Sequence, residues 1–259
     1  MSIKITLIQT DVYPTLSQTF SEIERLVDSH PSDLYLLTEC FTTGFSSNLY
    51  TIAHPKGGYE IIKKLQDISK KYDCSFIGGI ICEDEGIYYN RVIVVDKNGL
   101  LSKYDKVHLY HFGCENQLVR GNLRVVVTYK GVRIFLAICY DIQYPAFIRR
   151  TDANDYDIIV CPINYGSKIF HTIKALAATR AIENGVWVFC TSRIGVDKLG
   201  IEFSGHSFVV NELGQIVGEA GEKSEALTLV FDKSRLQKTK KKLGLGEKFV
   251  FDNNTWFKS

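Results

Sequence analysis

The sequence predicts an α/β protein with mixed sheets, and three observations lead there. Apolar and polar residues alternate in several short segments, and apolar residues recur at helical spacing between them. Some neighbouring strands are also joined by the tight glycine-bearing turns of antiparallel pairs. With 259 residues, 45% hydrophobic and 12% aromatic, the chain can bury a sizeable core. The expectation is one domain over residues 1–259, with the tail from about residue 232 less clearly assigned to it.

Residues 3–9 alternate as a half-buried strand, Phe20, Ile23, Leu26 and Val27 follow a helical period, and residues 34–37 form a compact apolar run. That is a β-α-β opening. Ile61, Ile62, Leu65 and Ile68 mark a second helix, strands follow near 76–81 and 88–95, and an Asn98-Gly99 turn leads through a hairpin to Leu100. A polar, aromatic loop spans 105–122. Two strands, 125–129 and 132–138, then flank a Lys130-Gly131 turn, and the second runs into Cys139. Next come a short helix with Phe147 and Ile148, a strand at 158–161, and a helix carrying Ile173, Leu176, Ala177 and Ala181. Strands near 186–191 and 208–210 and one after Gly214 complete the alternation. Asp33-Leu-Tyr-Leu-Leu resembles Asp157-Ile-Ile-Val, which suggests pseudo-symmetry, and the basic run 238–242 reads as a solvated helix end.

Charge narrows the partners. Thirty-one basic residues against 29 acidic ones leave a formal net charge of +2, too small a field to draw in a nucleic acid or a membrane surface. A small molecule is the expected partner. The alternating N-terminus lacks the apolar core of a secretory signal, and no stretch approaches the ~18 unbroken apolar residues of a membrane span. Seven scattered cysteines without a CxxC pair suit reduced thiols in the cytoplasm.

Three segments could carry chemistry. FLAICYDIQYP places Cys139 after an apolar strand and ahead of Pro145, a helix-start residue, so a strand-to-helix bend could present its thiol at the end of a sheet. Taken alone, such a cysteine reads more readily as a small core residue. A thiol with a pKa near ~8.5 is mostly neutral at neutral pH, so a nucleophile needs a base or a cation beside it. TECFTTGF supplies Glu39 at the end of another apolar strand, and KYDKVHLY supplies Lys106 just after a third. Each of these, alone, also reads as a solvated charge.

Taken together, TECFTTGF, YDKVHL with Glu115 further on, and ICYDIQYP resemble the nitrilase superfamily of carbon-nitrogen hydrolases. They are closest to its ω-amidase branch, and RAIEN at 180–184 adds to the likeness. The resemblance implies a four-layer α-β-β-α sandwich that works as a homodimer without a cofactor or metal. It also implies amide hydrolysis through a thioester: Cys139 attacks, Glu39 relays protons, and Lys106 stabilises the oxyanion with the Tyr140 backbone N-H. Glu115 would orient Lys106 or contact the substrate, a structural salt bridge being the alternative. His108 would act as a hydrogen-bonding support. His108, His111 and Cys114 are closely spaced, but no second ligand cluster completes a zinc pattern.

The resemblance also implies pocket walls from Phe45, Asn164 and Tyr165, although either aromatic residue could equally be core. Two positions depart from the family pattern. Tyr165 stands where relatives often carry tryptophan, and Gln143 where many carry arginine, which removes a partner for a substrate carboxylate. Arg193 or Lys168 could supply that contact instead. The expected substrate is a short dicarboxylate monoamide such as α-ketoglutaramate or α-ketosuccinamate. The competing readings are an N-carbamoyl amino acid hydrolase or a nitrilase, a noncatalytic amide-binding or regulatory protein, and, more remotely, a metal-dependent phosphoesterase.

Overall fold

The computed structural model describes residues 2–111, 113–151 and 155–245. In chain order the strands are β1 (Ser2–Gln9), β2 (Leu34–Leu36), β3 (Ser75–Asp84), β4 (Ile87–Asp96), β5 (Gly99–Asp105), β6 (Val126–Tyr129) and β7 (Val132–Leu136). They continue with β8 (Ile158–Ile163), β9 (Trp187–Ser192), β10 (Ile194–Val196), β11 (Glu202–Ser204), β12 (Phe208–Val210), β13 (Ile216–Glu219) and β14 (Glu225–Asp232). The helices are α1 (Leu16–Ser29), α2 (Tyr59–Tyr72), α3 (Pro145–Ile148), α4 (Phe170–Asn184) and α5 (Lys233–Leu243).

Two six-stranded mixed sheets form, in the orders β14-β1-β2-β3-β4-β5 and β13-β12-β9-β8-β7-β6, beside a small β10-β11 ribbon. The period-two patterns explain how they stack. Ile3, Ile5 and Leu7 of β1 and Leu34 and Leu36 of β2 face the second sheet, sharing a core with Ile134, Leu136, Ile158 and Val188. Tyr35, Leu37, Phe76, Ile80 and Val95 point the other way, onto Phe20, Ile23, Leu26, Ile61 and Leu65 of α1 and α2. Helix α4 packs on β9 and β12, giving the fourth layer.

The internal likeness seen in the sequence is structural. Strands β1, β2 and β3 pair in parallel, as do β7, β8 and β9. Asp33 donates its N-H to the Lys4 carbonyl at 3.0 Å while its side chain accepts the Lys4 N-H at 2.8 Å. Asp157 does the same with Arg133, at 2.8 and 2.9 Å. Each aspartate starts the middle strand of its parallel triplet by satisfying the edge of its neighbour.

The predicted hairpin of β6 and β7 turns through Lys130 and Gly131, both at positive φ, and the basic run lies on α5, an exposed helix that buries Leu236 in the inter-sheet core. The sequence reading missed β10, β11 and β14. Strand β14 leaves the second half of the chain and pairs antiparallel with β1 over its whole length. No helix among the described residues is long and apolar enough to cross a membrane. The tail beyond residue 245 lies outside the described residues.

Candidate active site

Glu39, Lys106 and Cys139 converge at one end of the two sheets, each carried there by the end of a strand. Glu39 follows β2, and backbone bonds between its segment and Gly79 of β3 (Gly79 N-H to the Thr38 carbonyl, 3.1 Å; Phe41 N-H to the Gly79 carbonyl, 3.0 Å) hold it there. A Cβ at residue 79 would come within 2.9 Å of the Glu39 Cα, so this approach requires glycine. Lys106 directly follows β5. Its N-H bonds the Asn90 carbonyl at 2.9 Å, continuing the β4-β5 ladder and setting the Lys106 and Asn90 side chains beside each other.

Cys139 begins a 3-10 turn (Cys139–Gln143) after β7, with φ at +46°, a left-handed conformation that costs a side-chain-bearing residue about 1 kcal/mol or more. Such a sharp turn lets the side chain leave the sheet edge while the following backbone stays in place. Cys139 is half-buried, and Cys40, Cys74, Cys82, Cys161 and Cys190 are buried; all seven cysteines are free thiols.

The charged groups form a closed ring. The Lys106 ammonium donates to Glu39 Oε1 at 3.0 Å and to both Glu115 oxygens at 2.9 and 2.8 Å. The Asn90 amide nitrogen donates to Glu39 Oε1 at 2.8 Å and Glu115 Oε1 at 2.7 Å. Glu39, Asn90, Lys106 and Glu115 are all buried. Glu39 Oε2 accepts from no protein donor among the described residues. One carboxylate oxygen is thus saturated and the other is open.

Burial raises the pKa of Glu39, with the Lys106 charge opposing the rise and Glu115 adding to it. Burial alone would push the Lys106 ammonium down, but Glu115 and Glu39 outweigh it and keep the lysine charged. Burial, then the Glu39 charge, lifts the Cys139 thiol well above its ordinary range, against Lys106 and a hydrogen bond with the Asn164 backbone. The direction of this shift favours a neutral thiol at rest, within the field of the buried Glu39 carboxylate. That arrangement suits general-base activation rather than a standing thiolate.

Asn164, at the end of β8, donates its side-chain amide to the Glu39 carbonyl at 3.0 Å, so the residue touching the Cys139 sulfur also ties down the glutamate on the other sheet. Its Oδ1 accepts from no donor among the described residues. Tyr165 is buried next to it, and its hydroxyl accepts from Gln143 Nε2 at 3.0 Å. The two departures from the family pattern thus form one hydrogen-bonded pair. Phe45 is half-buried against Cys40, Leu49, Ile81, Leu109 and Leu118. The Tyr140 ring lies edge-on to Tyr110 and Tyr144.

His108 donates its backbone N-H to Asp141 Oδ1 at 2.9 Å, places Nδ1 at 2.9 Å from the same oxygen, and stacks on Tyr144. Arg193 is buried with its polar contacts elsewhere: Nη2 pairs with Asp11 at 2.6 Å, Nε bonds the Ile194 carbonyl at 3.1 Å, and the guanidinium lies over Phe203. Its Nη1 sits 2.8 Å from where a Cβ on Gly44 would be, so the guanidinium abuts the loop that follows Glu39. Lys168 is exposed on a 3-10 turn.

Sequence reasoning missed two residues that organise this site. Asn90 is a buried polar side chain in an apolar strand, a signal visible as the single amide in the run Tyr88 to Val95. Asp141 accepts Ile138 N-H at 2.9 Å and Tyr104 hydroxyl at 2.7 Å as well as both His108 donors, which clamps the Cys139 turn to the Lys106 segment. RAIEN has a comparable role: Arg180 Nε donates to the Ile142 carbonyl of that turn at 2.8 Å. Among the described residues no group of three or more His, Cys, Asp or Glu could hold a metal ion.

Comparison with known proteins places this geometry. A profile for carbon-nitrogen hydrolases matches residues 4–241. An omega-amidase YafV from Yersinia enterocolitica is 31% identical over 222 residues, covering 85% of each chain. A 2-oxoglutaramate amidase from Bacillus subtilis is 27% identical, covering 84% of this chain and 86% of its own. The crystal structure of a CN-hydrolase superfamily protein from Xanthomonas campestris, with an arsenic adduct in its active site, superposes with a TM-score of 0.89. It is 28% identical, over 97% of this chain and 99% of that one. With the converging Glu39, Lys106 and Cys139, the two stacked sheets and these relatives in agreement, the chain belongs to the carbon-nitrogen hydrolase family, on the ω-amidase branch of the nitrilase superfamily.

Proposed function

We propose that this amide-hydrolysing enzyme cleaves a short dicarboxylate monoamide to the acid and ammonia through a thioester on Cys139. The observation that carries the reading is a Glu39 carboxylate whose Oε2 meets no protein donor among the described residues and whose charge raises the Cys139 thiol, with the Lys106 ammonium fixed between two carboxylates. Glu39 takes the thiol proton as the sulfur attacks the amide carbon. The oxyanion that forms is held by Lys106 and the Tyr140 N-H. Collapse of this intermediate breaks the carbon-nitrogen bond, and Glu39 passes its proton to the departing ammonia. Glu39 then deprotonates water, which attacks the thioester. The second oxyanion collapses, expels the sulfur, and returns the proton to it through Glu39. Lys106 is suited to the oxyanion because its charge is present, and held in place by the two carboxylates, before the reaction begins.

The names of the Yersinia and Bacillus relatives support an ω-amide substrate. Arg193, beside the loop after Glu39, is the group proposed to meet the distal carboxylate. The test is kinetics on α-ketoglutaramate, α-ketosuccinamate, glutamine, asparagine, N-carbamoyl amino acids and simple nitriles, with ammonia as the readout. Keto-acid amides should rank first, and a leading rate on an N-carbamoyl amino acid or a nitrile would replace the substrate assignment. Folded Cys139→Ala should be inactive. Retention of more than about a tenth of wild-type activity, under ~1.4 kcal/mol of lost transition-state stabilisation, would remove Cys139 from the nucleophile role.

A further inference from the structure

We infer that Asn90 is a positioning residue that confines the basicity of Glu39 to one oxygen, Oε2, and keeps the two active-site carboxylates apart. The inference rests on Glu39 acting as the proton relay proposed above. Asn90 lies on β4, fully buried, opposite Lys106 across the β4-β5 ladder. Its amide nitrogen sits between the facing Oε1 atoms of Glu39 and Glu115, 2.8 and 2.7 Å away. The orientation of the amide follows from chemistry. Turned over, it would aim its oxygen at two carboxylate oxygens, acceptor against acceptor, whereas an NH2 group has two hydrogens to offer them.

The consequence is an asymmetric carboxylate. Glu39 Oε1 accepts from both Asn90 and Lys106, while Oε2 accepts from no protein donor among the described residues. A proton arriving at Oε1 would have to displace a donor, and one arriving at Oε2 displaces none. The relay is thereby aimed at the open oxygen. Lys106 cannot do this alone, because its three donors are shared between Glu39 and both oxygens of Glu115, and the oxyanion role draws on the same group.

The groups facing the Glu39 carboxylate besides Asn90 are Lys106 after β5, Glu115 and Cys114 on the 3-10 turn Cys114–Gln117, Cys139 after β7, and the neighbouring Cys40. Burial and Glu115 push the glutamate toward its neutral form. Asn90 and Lys106 oppose them. A neutral donor has an advantage here that a second cation would lack, since it holds two carboxylates without competing for the anionic intermediate.

The experiment compares pH profiles of kcat/KM for the wild type, Asn90→Ala and Asn90→Asp, with melting temperature recorded for each. Losing a donor to the charged form makes Glu39 easier to protonate. The acidic limb should therefore move to higher pH by about one unit or more in Asn90→Ala. In the isosteric Asn90→Asp, which adds an acceptor between two acceptors, kcat at neutral pH should fall at least about tenfold and the limb should rise again. A folded variant with the limb in its wild-type position overturns the inference, even if activity falls. In the unmodified protein, labelled at asparagine side chains with nitrogen-15, the Asn90 amide protons should shift as the acidic limb is crossed. Protons that stay in place would overturn it equally, whether or not the variants fold. Glu39→Gln separates the two claims: if it retains full activity, the proton relay itself fails, whereas an inactive Glu39→Gln with unshifted Asn90 variants rejects Asn90 alone.

Discussion

Replacing Lys106 with methionine, close to it in length and apolar, should damage catalysis and stability by separable amounts. The ammonium is 1% exposed and lies 3.0 Å from Glu39 and 2.8 Å from Glu115. At an effective dielectric constant of about 20, each contact contributes roughly 6 kcal/mol of gross attraction. Desolvation offsets much of that, so removing one member of such a buried set costs about 3 to 5 kcal/mol net. The proposed oxyanion role adds a second loss, about 2.7 to 4 kcal/mol for one donor, or roughly a hundred- to a thousandfold in kcat.

The stability loss should depend on pH in a definite direction. Without the lysine, two buried carboxylates face each other, and at least one has its folded-state pKa raised above its value in the unfolded chain. Such a group's stabilising effect is complete below the unfolded pKa, about 4.3 for glutamate, and fades as pH climbs toward the folded pKa. Denaturant unfolding of Lys106→Met should therefore show a small deficit against wild type near about pH 4 to 5 and the full deficit near about pH 8. Steady-state rates on the best substrate supply the catalytic half. A deficit equal at both ends of that range would refute the buried-charge reasoning, and a kcat loss under about tenfold would remove Lys106 from the oxyanion role.

Two further perturbations test neighbouring parts of the site. Arg193→Ala should erase most of the preference for a substrate with a distal carboxylate over a neutral amide of equal length, a preference expected to be about tenfold or more in kcat/KM for one charge-assisted contact. A preference that survives the substitution would reject Arg193 as the anchor and leave the cysteine chemistry standing. Asp141→Ala leaves the Ile138 N-H, the Tyr104 hydroxyl and the two His108 donors without their shared acceptor. Each stranded donor costs about 1 to 3 kcal/mol, so Tm should fall by roughly 8 °C or more, and an unchanged Tm would show that the clamp is dispensable.

Much of this was readable in the chain because it depends on local rules. The alternation in β1 and β2 sends Ile5 and Leu36 to one core and Tyr35 and Leu37 to the other, which is all that a layered sandwich needs from its central strands. Glu39, Lys106 and Cys139 each follow an apolar strand, and strand ends are where a packed sheet releases the backbone. Asp33 and Asp157 revealed the duplicated architecture because each makes the same short-range contact with a neighbouring strand.

The sequence by itself therefore determined the class of fold and singled out Glu39, Lys106 and Cys139, the three side chains that meet at the strand ends. Only the tertiary structure decided that Asn90 and Asp141 organise the site, that Gln143 and Tyr165 are one pair, that Asp11 holds Arg193, and that β14 crosses back to close the first sheet beside β1. The physical reason is distance along the chain. Periodicity and turn chemistry act over a few residues, whereas Asn90 meets Glu39 across 51 positions and Arg193 meets Asp11 across 182. A buried polar side chain looks the same in a sequence whatever partner satisfies it. The choice of partner is made when the two sheets dock.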